Sequence, residues 1–139
     1  MTGSSAHESS THQPTPQVGL TVTHRRYVPY SHAHYAGDLV DGAYGLGLFG
    51  DVATELCIRT DGDEGLFASY TGVQFLAPVR AGDCVEAEAR LVRVGRRSRE
   101  VTFTLRVVAR STPERGVSTA AVLDPPIVAT TATGVVVVP

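Results

Sequence analysis

The stretch between Asp38 and the TDGDEG run at 60–65 puts the tightest limit on what this chain can fold into. It reads LVDGAYGLGLFGDVATELCIR, with Asp38 as an N-cap ahead of it and TDGDEG as a stop behind it, which predicts one long helix over about residues 39 to 59. Leu39, Val40, Ala43, Tyr44, Leu46, Leu48, Phe49, Val52, Ala53, Leu56 and Ile58 fall on all sides of that helix, and few polar residues interrupt them. A helix apolar all round is wrapped by other structure, whereas an amphipathic one is laid on a surface. Gly42, Gly45, Gly47 and Gly50 each lower helix propensity by ~1 kcal/mol relative to alanine. Their presence points to a neighbour, a sheet, packed very close to the helix backbone.

The remaining segments read as strands. GLTVTHRRYVPY at 19–30 alternates Leu20, Val22 and His24 against polar neighbours, and Pro29 ends it at a sheet edge or a turn. Residues 66–75 lead into an Ala-Pro-Val turn. Residues 84–94 alternate Val85, Ala87, Ala89 and Leu91 against Glu86, Glu88 and Arg90, and residues 100–110 alternate Val101, Phe103, Leu105 and Val107 against Thr102, Thr104 and Arg106. Gly95 and the RRSR run join these two as a hairpin. A polar STPERG loop precedes the last strand, at 127–138. One strand, a buried helix and four further strands make an α+β chain in which a curved antiparallel sheet wraps one long central helix.

With 139 residues there is room for one modest core and not for two, so a site needing more walls must take them from another copy. The formal charge of −2 creates no field that would gather polyanions, which argues against nucleic acid as a partner. Cys57 and Cys84 sit in apolar segments without CxxC or Cys/His spacing, so they read as buried thiols in a reducing compartment, with neither a disulfide nor a structural metal expected. The opening MTGSSAHESSTHQPTPQ has too little apolar surface to offset its ordering entropy and lacks the apolar core of a secretion signal. Residues 1–17 are therefore expected to be a disordered tail and 18–139 the folded domain; with no apolar run long enough to span a bilayer, a soluble cytoplasmic protein is expected, with no membrane partner.

Several motifs then carry a resemblance. AHYAGDLVDGA at 33–43, FGDVATELCI at 49–58, DGDEGLF at 61–67, FLAPVRAGD at 75–83, VGRRSRE at 94–100 and DPPIVATTATG at 124–134 occur in an order that resembles the acyl-CoA ammonia-lyases of the hot-dog superfamily, enzymes of 3-aminobutyryl-CoA and β-alanyl-CoA. The resemblance covers the chain from about residue 20 to its end. It implies the hot-dog fold, a homodimer or larger homo-oligomer, and reversible elimination of ammonia from a short β-aminoacyl-CoA, such as 3-aminobutyryl-CoA to crotonyl-CoA. Run backwards, the same site adds an amine to an enoyl thioester. The chain has no Ala-Ser-Gly triplet of the kind from which the large ammonia-lyases build their prosthetic group. None is needed, because a thioester carbonyl acidifies the α-proton and leaves the protein to supply a base, an acid and stabilisation of the enolate oxygen. No cofactor is expected beyond the coenzyme A of the substrate, for which a carrier protein is the alternative.

His34, three residues before Gly37 and close to the helix start, is the first candidate for moving the proton, since an imidazole titrates near working pH. Its plain alternative is a histidine satisfied as a helix-end hydrogen-bonding group. Asp51 and Glu55 lie four apart on one helix face and are the candidate carboxylate acid or base, with burial raising the pKa, or else they mark the exposed stripe. Asp63 and Glu64 are candidates to hold the departing ammonium, while Asp61 and Gly62 make the turn. Tyr30 and Tyr35 flank the histidine as oxyanion donors or as packing residues. The amides of Gly37 and Asp38, at the expected helix start, are candidates to polarise the thioester carbonyl. Arg96, Arg97 and Arg99 either grip the phosphates of coenzyme A or form a solvated hairpin tip. Thioester hydrolysis and non-catalytic acyl-thioester binding stay open beside the lyase reading.

Overall fold

The computed structural model describes residues 15–139, so most of the expected tail, 1–17, lies outside the described residues. Five strands, β1 (Thr21–Tyr27), β2 (Leu66–Phe75), β3 (Cys84–Val94), β4 (Ser98–Ser111) and β5 (Ala120–Val137), form a sheet against which one long helix, α1 (Gly42–Asp61), packs. All pairings are antiparallel and the sheet order is β1-β3-β4-β5-β2, the α+β arrangement of one long helix on an antiparallel sheet that the sequence pattern predicts. Among the described residues no helix is long and apolar enough to cross a membrane.

Alternation on the two central strands builds the core. Val85, Ala87, Ala89 and Leu91 on β3 and Val101, Phe103, Leu105 and Val107 on β4 are all buried, and Ala87 pairs with Leu105 as Ala89 pairs with Phe103. Short alanines on β3 leave room for α1, which packs chiefly on that strand. The helix turns Leu48, Phe49, Val52, Ala53, Leu56 and Cys57 inward. Phe49 stacks on Phe103 with ring centroids 4.9 Å apart and planes 18° from parallel, and Phe67 and Tyr70 complete the aromatic cluster. Burial in this core raises the Cys57 thiol to about 11, which makes it an inert packing group; Cys84 is half-buried.

Several expectations need correction. The helix starts at Gly42 and its N-cap is Asp41, whose extended backbone (φ −72°, ψ 160°) suits a cap; Asp38 has φ 66° and sits in a tight turn. Leu39 and Val40 bridge to Arg80 and Ala33. The helix is also covered on one side only, with Ala43, Gly47, Asp51 and Ile58 exposed. Close packing explains two of its four glycines: a Cβ on Gly45 would stand 3.0 Å from Leu105 Cδ2, and one on Gly42 would run into the ring of Phe75, but Gly47 and Gly50 face open space. The last strand begins at Ala120, because Ala120, Ala121 and Val122 pair with Ser111, Arg110 and Ala109 across the 112–119 loop.

The end of α1 is tied to the sheet by an ion pair that the hairpin arginines did not suggest. Arg99 is 6% exposed and donates from Nε to Asp61 Oδ2 at 2.9 Å and from Nη2 to Asp61 Oδ1 at 2.6 Å. Its Nη1 donates to the carbonyls of Gly95 and Ser98. With four of its five N–H groups engaged and the side chain buried, Arg99 is turned away from solvent and from a phosphate-gripping role, and Asp61 is more than a turn residue. Gly62 stops the helix in the left-handed conformation (φ 65°), its N–H donating to the Ile58 carbonyl.

Burial pushes the Asp61 carboxyl up, but the hydrogen bonds from Arg99 and Thr60 outweigh it and hold it below the ordinary carboxylate range. A depressed folded-state value stabilises above the unfolded carboxylate range and is lost as pH falls through the folded one. The urea midpoint of the wild type should therefore drop more steeply below pH about 4 than that of Asp61→Asn, and parallel pH profiles would contradict this. Arg99→Ala, which strands a buried carboxylate, should cost about 3–5 kcal/mol in urea unfolding.

Candidate functional site

The approach to the helix is a tight reversal built around Gly37 (φ 73°) and Asp38 (φ 66°), both in the left-handed region that glycine and, less readily, aspartate tolerate. His34 N–H donates to the Leu39 carbonyl at 2.8 Å and Tyr35 N–H to the same oxygen at 3.2 Å. Val40 N–H donates to Val79 O at 2.9 Å, which fastens the returning arm to the loop after β2. Because the arms run side by side, His34 arrives next to Asp41, with Nδ1 3.8 Å from Oδ2. The other oxygen of Asp41, Oδ1, accepts from Tyr44 N–H at 3.1 Å. One carboxylate thus caps the helix and faces the imidazole.

A cavity of about 710 Å³ opens here, lined by His34, Tyr35, Asp41, the first helical turn, the loop from Phe75 to Val79, Leu105 and Thr130. Its rim is exposed at His34, Tyr35 and Phe75, and its floor is buried at Gly45, Leu105 and Thr130. In the first turn the amides of Gly42 and Ala43 have no acceptor inside the helix and carry the positive end of its dipole. Burial raises the Tyr44 hydroxyl while Arg26 pulls it the other way, leaving it raised overall. An imidazole beside a carboxylate, with two amide donors a turn away, can take a proton from carbon and stabilise an enolate oxygen. Among the described residues no three His, Cys, Asp or Glu side chains group as metal ligands would.

The wall of this cavity rests on a second buried ion pair. Asp83 is fully buried; Arg110 donates to it from Nε and Nη2, each at 2.9 Å, and Arg80 N–H donates at 2.8 Å. Arg110 also donates to the Pro78 carbonyl at 2.9 Å. These bonds hold the loop from Pro78 to Asp83 against β4.

The remaining predicted residues scatter. Tyr30, Gly37 and Asp38 line a different cavity of about 680 Å³, beside Arg80 and the 112–119 loop. Gly37 and Asp38 precede the helix by several residues, so the unpaired helical amides are those of Gly42 and Ala43 instead. Asp63 Oδ1 accepts from Gly65 N–H at 2.8 Å and shapes the turn after α1, while Glu64 is exposed. Asp63 and Glu64 share a cavity of about 650 Å³ with Arg97, and Glu64 and Asp51 share one of about 230 Å³. Arg96 is exposed at the hairpin. Glu55 turns to β1, with Oε1 2.7 Å from His24 Nε2 and Oε2 accepting from Arg59 Nε at 2.8 Å. The hydrogen bonds with His24 and then Arg59 hold its carboxyl below the ordinary range, the reverse of the expected rise.

Distance separates the candidates further. The 20 residues of α1 span roughly 30 Å, with His34 near one end and Asp63 and Glu64 just past the other. Within one chain they cannot meet on one small acyl group. Two residues escaped the sequence reading. Asp41 has the same Asp-before-helix signature as Asp38, and only backbone geometry separates them; Thr130 lies in a Thr/Ala run that gives no local signal.

The family model described as the thioesterase superfamily matches residues 43–113. The 3-aminobutyryl-CoA ammonia lyase of Acetoanaerobium sticklandii is 51% identical over 107 residues, which cover 77% of this chain and 85% of that protein. The solved structure of β-alanyl-CoA:ammonia lyase from Clostridium propionicum superposes with a TM-score of 0.82 at 35% identity, covering 88% of this chain and 87% of that one. A hexameric hotdog fold thioesterase of Campylobacter jejuni has a TM-score of 0.66 at 17% identity, covering 83% and 80%, a likeness of fold.

The cap can be tested apart from any activity. Asp41→Ala should lower stability by about 1 kcal/mol in urea unfolding, whereas Asp41→Asn, which still accepts from Tyr44 N–H, should stay within a few tenths of the wild type.

Proposed function

Because this chain belongs to the thioesterase superfamily and, within it, to the acyl-CoA ammonia-lyases, we propose that it is a carbon–nitrogen lyase that removes ammonia from a short β-aminoacyl-CoA, 3-aminobutyryl-CoA to crotonyl-CoA. The observation that carries the reading is the His34–Asp41 pair at the mouth of a cavity whose rim includes the first turn of α1. His34 takes the α-proton, Asp41 orients and charge-balances the imidazolium, and the amides of Gly42 and Ala43 receive the enolate oxygen. The pair of electrons released at Cα forms the Cα–Cβ double bond as the Cβ–N bond breaks. Nitrogen leaves the β-ammonium as neutral ammonia and collects the proton from His34. No prosthetic group enters this scheme, since the thioester supplies the acidity.

We also propose that the protein works as a homo-oligomer, at least a dimer, in the cytoplasm. The cavity is open on one side, and the outward surface of β2 and the outer face of α1 are exposed, Leu66 at 79% and Phe75 at 60%. For Asp63 or Glu64 to meet the leaving ammonium, a second copy must bring it there, because the helix length separates both from His34. Arg96 and Arg97 are our candidates for the phosphates of coenzyme A.

Purified protein incubated with crotonyl-CoA and ammonium tests the reading by enoyl absorbance and free thiol. Loss of absorbance without thiol is expected; thiol release would assign hydrolysis, the other chemistry of this superfamily, and neither change would mean binding without turnover. His34→Ala should lower kcat by about 10²–10⁴-fold with little change in the KM for crotonyl-CoA.

A further inference from the structure

Thr130 is the one polar residue on the inward-facing run of β5, where Ala132, Gly134 and Val136 follow it at every second position. It is 4% exposed, and its backbone is held between Leu105 of β4 and Phe75 of β2. Its hydroxyl oxygen lies 3.9 Å from where a Cβ on Gly45 would stand, in the floor of the cavity that His34 overlooks. Every side-chain oxygen or nitrogen fully closed from solvent has a hydrogen-bond partner among the described residues. The Thr130 hydroxyl has none there, so the sliver of surface it keeps opens into the cavity. A valine would fill the same space and pair as well in the strand, without the cost of burying a hydroxyl with no bond to make. The missing partner therefore belongs to whatever enters the cavity.

Resting on the lyase reading above, we infer that the Thr130 hydroxyl accepts a hydrogen bond from the β-amino group of the substrate and makes the site prefer amine-bearing acyl thioesters over plain ones. A β-aminoacyl thioester carries two polar groups in its acyl part. The carbonyl is met by the amides of Gly42 and Ala43 at the helix end, which leaves the amine for the floor. Gly45 and Leu105 beside Thr130 are apolar and match the acyl carbons. A hydrogen bond that only the aminated ligand completes discriminates, because the analogue without it leaves the buried hydroxyl unpaired.

Thr130→Val and Thr130→Ser are compared with the wild type using 3-aminobutyryl-CoA as substrate and butyryl-CoA, which has no amine, as competitive inhibitor. Thr130→Val should raise the KM for 3-aminobutyryl-CoA and, in the reverse direction, for ammonium by about five- to tenfold, while the Ki of butyryl-CoA does not rise and falls to the extent that the unpaired hydroxyl had disfavoured it. Thr130→Ser should restore both KM values. A purely structural role would move KM and Ki together, and that result, or no shift in either, overturns the inference. If Thr130→Val does not fold, as its thermal melt would show, the same KM-to-Ki ratio is read in Thr130→Ala. Wild-type turnover is measured first. Its absence sinks the lyase reading and this inference with it, whereas turnover with an unaltered ratio sinks the inference alone.

Discussion

The contact between α1 and the inner face of β3 and β4 is the constraint on which the other features of this molecule depend. Phe49 laid on Phe103, with the alanines of β3 beneath the helix, fixes how deep α1 sits in the sheet. Depth matters because the cavity floor is the gap between the first turns of α1 and the inner side chains Leu105 and Thr130. A helix seated higher would open that gap, and a side chain at Gly45 would press on Leu105. The same seating places the first helical turn, whose leading amides have no acceptor inside the helix, on the lining of the cavity.

Charged residues hold this arrangement at its ends. Asp41 caps the helix and faces His34, Arg99 and Asp61 bind the far end to the β3–β4 hairpin, and Arg110 and Asp83 clamp the loop that walls the cavity. Two of the motifs that carry the family resemblance, DGDEGLF and VGRRSRE, are halves of one buried ion pair, and FLAPVRAGD contributes the carboxylate of another. At those places the resemblance reports scaffold. The proposed chemistry draws instead on the segment from Ala33 to Ala43, where the reversal, the cap and the first helical turn meet.

A different distribution of carboxylates was expected. Acids on an apolar helix, as Asp51 and Glu55 are, are costly unless partnered or exposed. Both costs are avoided: Asp51 is exposed, and Glu55 binds His24 and Arg59. A histidine on β1 with inward periodicity thus has its partner 31 positions along the chain, on the helix that β1 helps to cover. No local pattern in either segment contains that pairing.

Periodicity along the chain is enough to give the α+β class, the single long helix and the inward faces of the central strands, because side-chain direction alternates with period 2 in a strand and the burial of one face writes that alternation into the residues. Alternation alone places Val85 to Leu91 and Val101 to Val107 inward, as they are in the fold. Which aspartate caps that helix, which arginine is buried, which glycines meet a neighbour and which hydroxyl faces the cavity were decided by the tertiary structure alone. Each depends on contacts between residues far apart in the chain, Arg99 with Asp61, Gly45 with Leu105, Thr130 with the space below His34, and a contact of that kind leaves no periodic trace in the segments it joins.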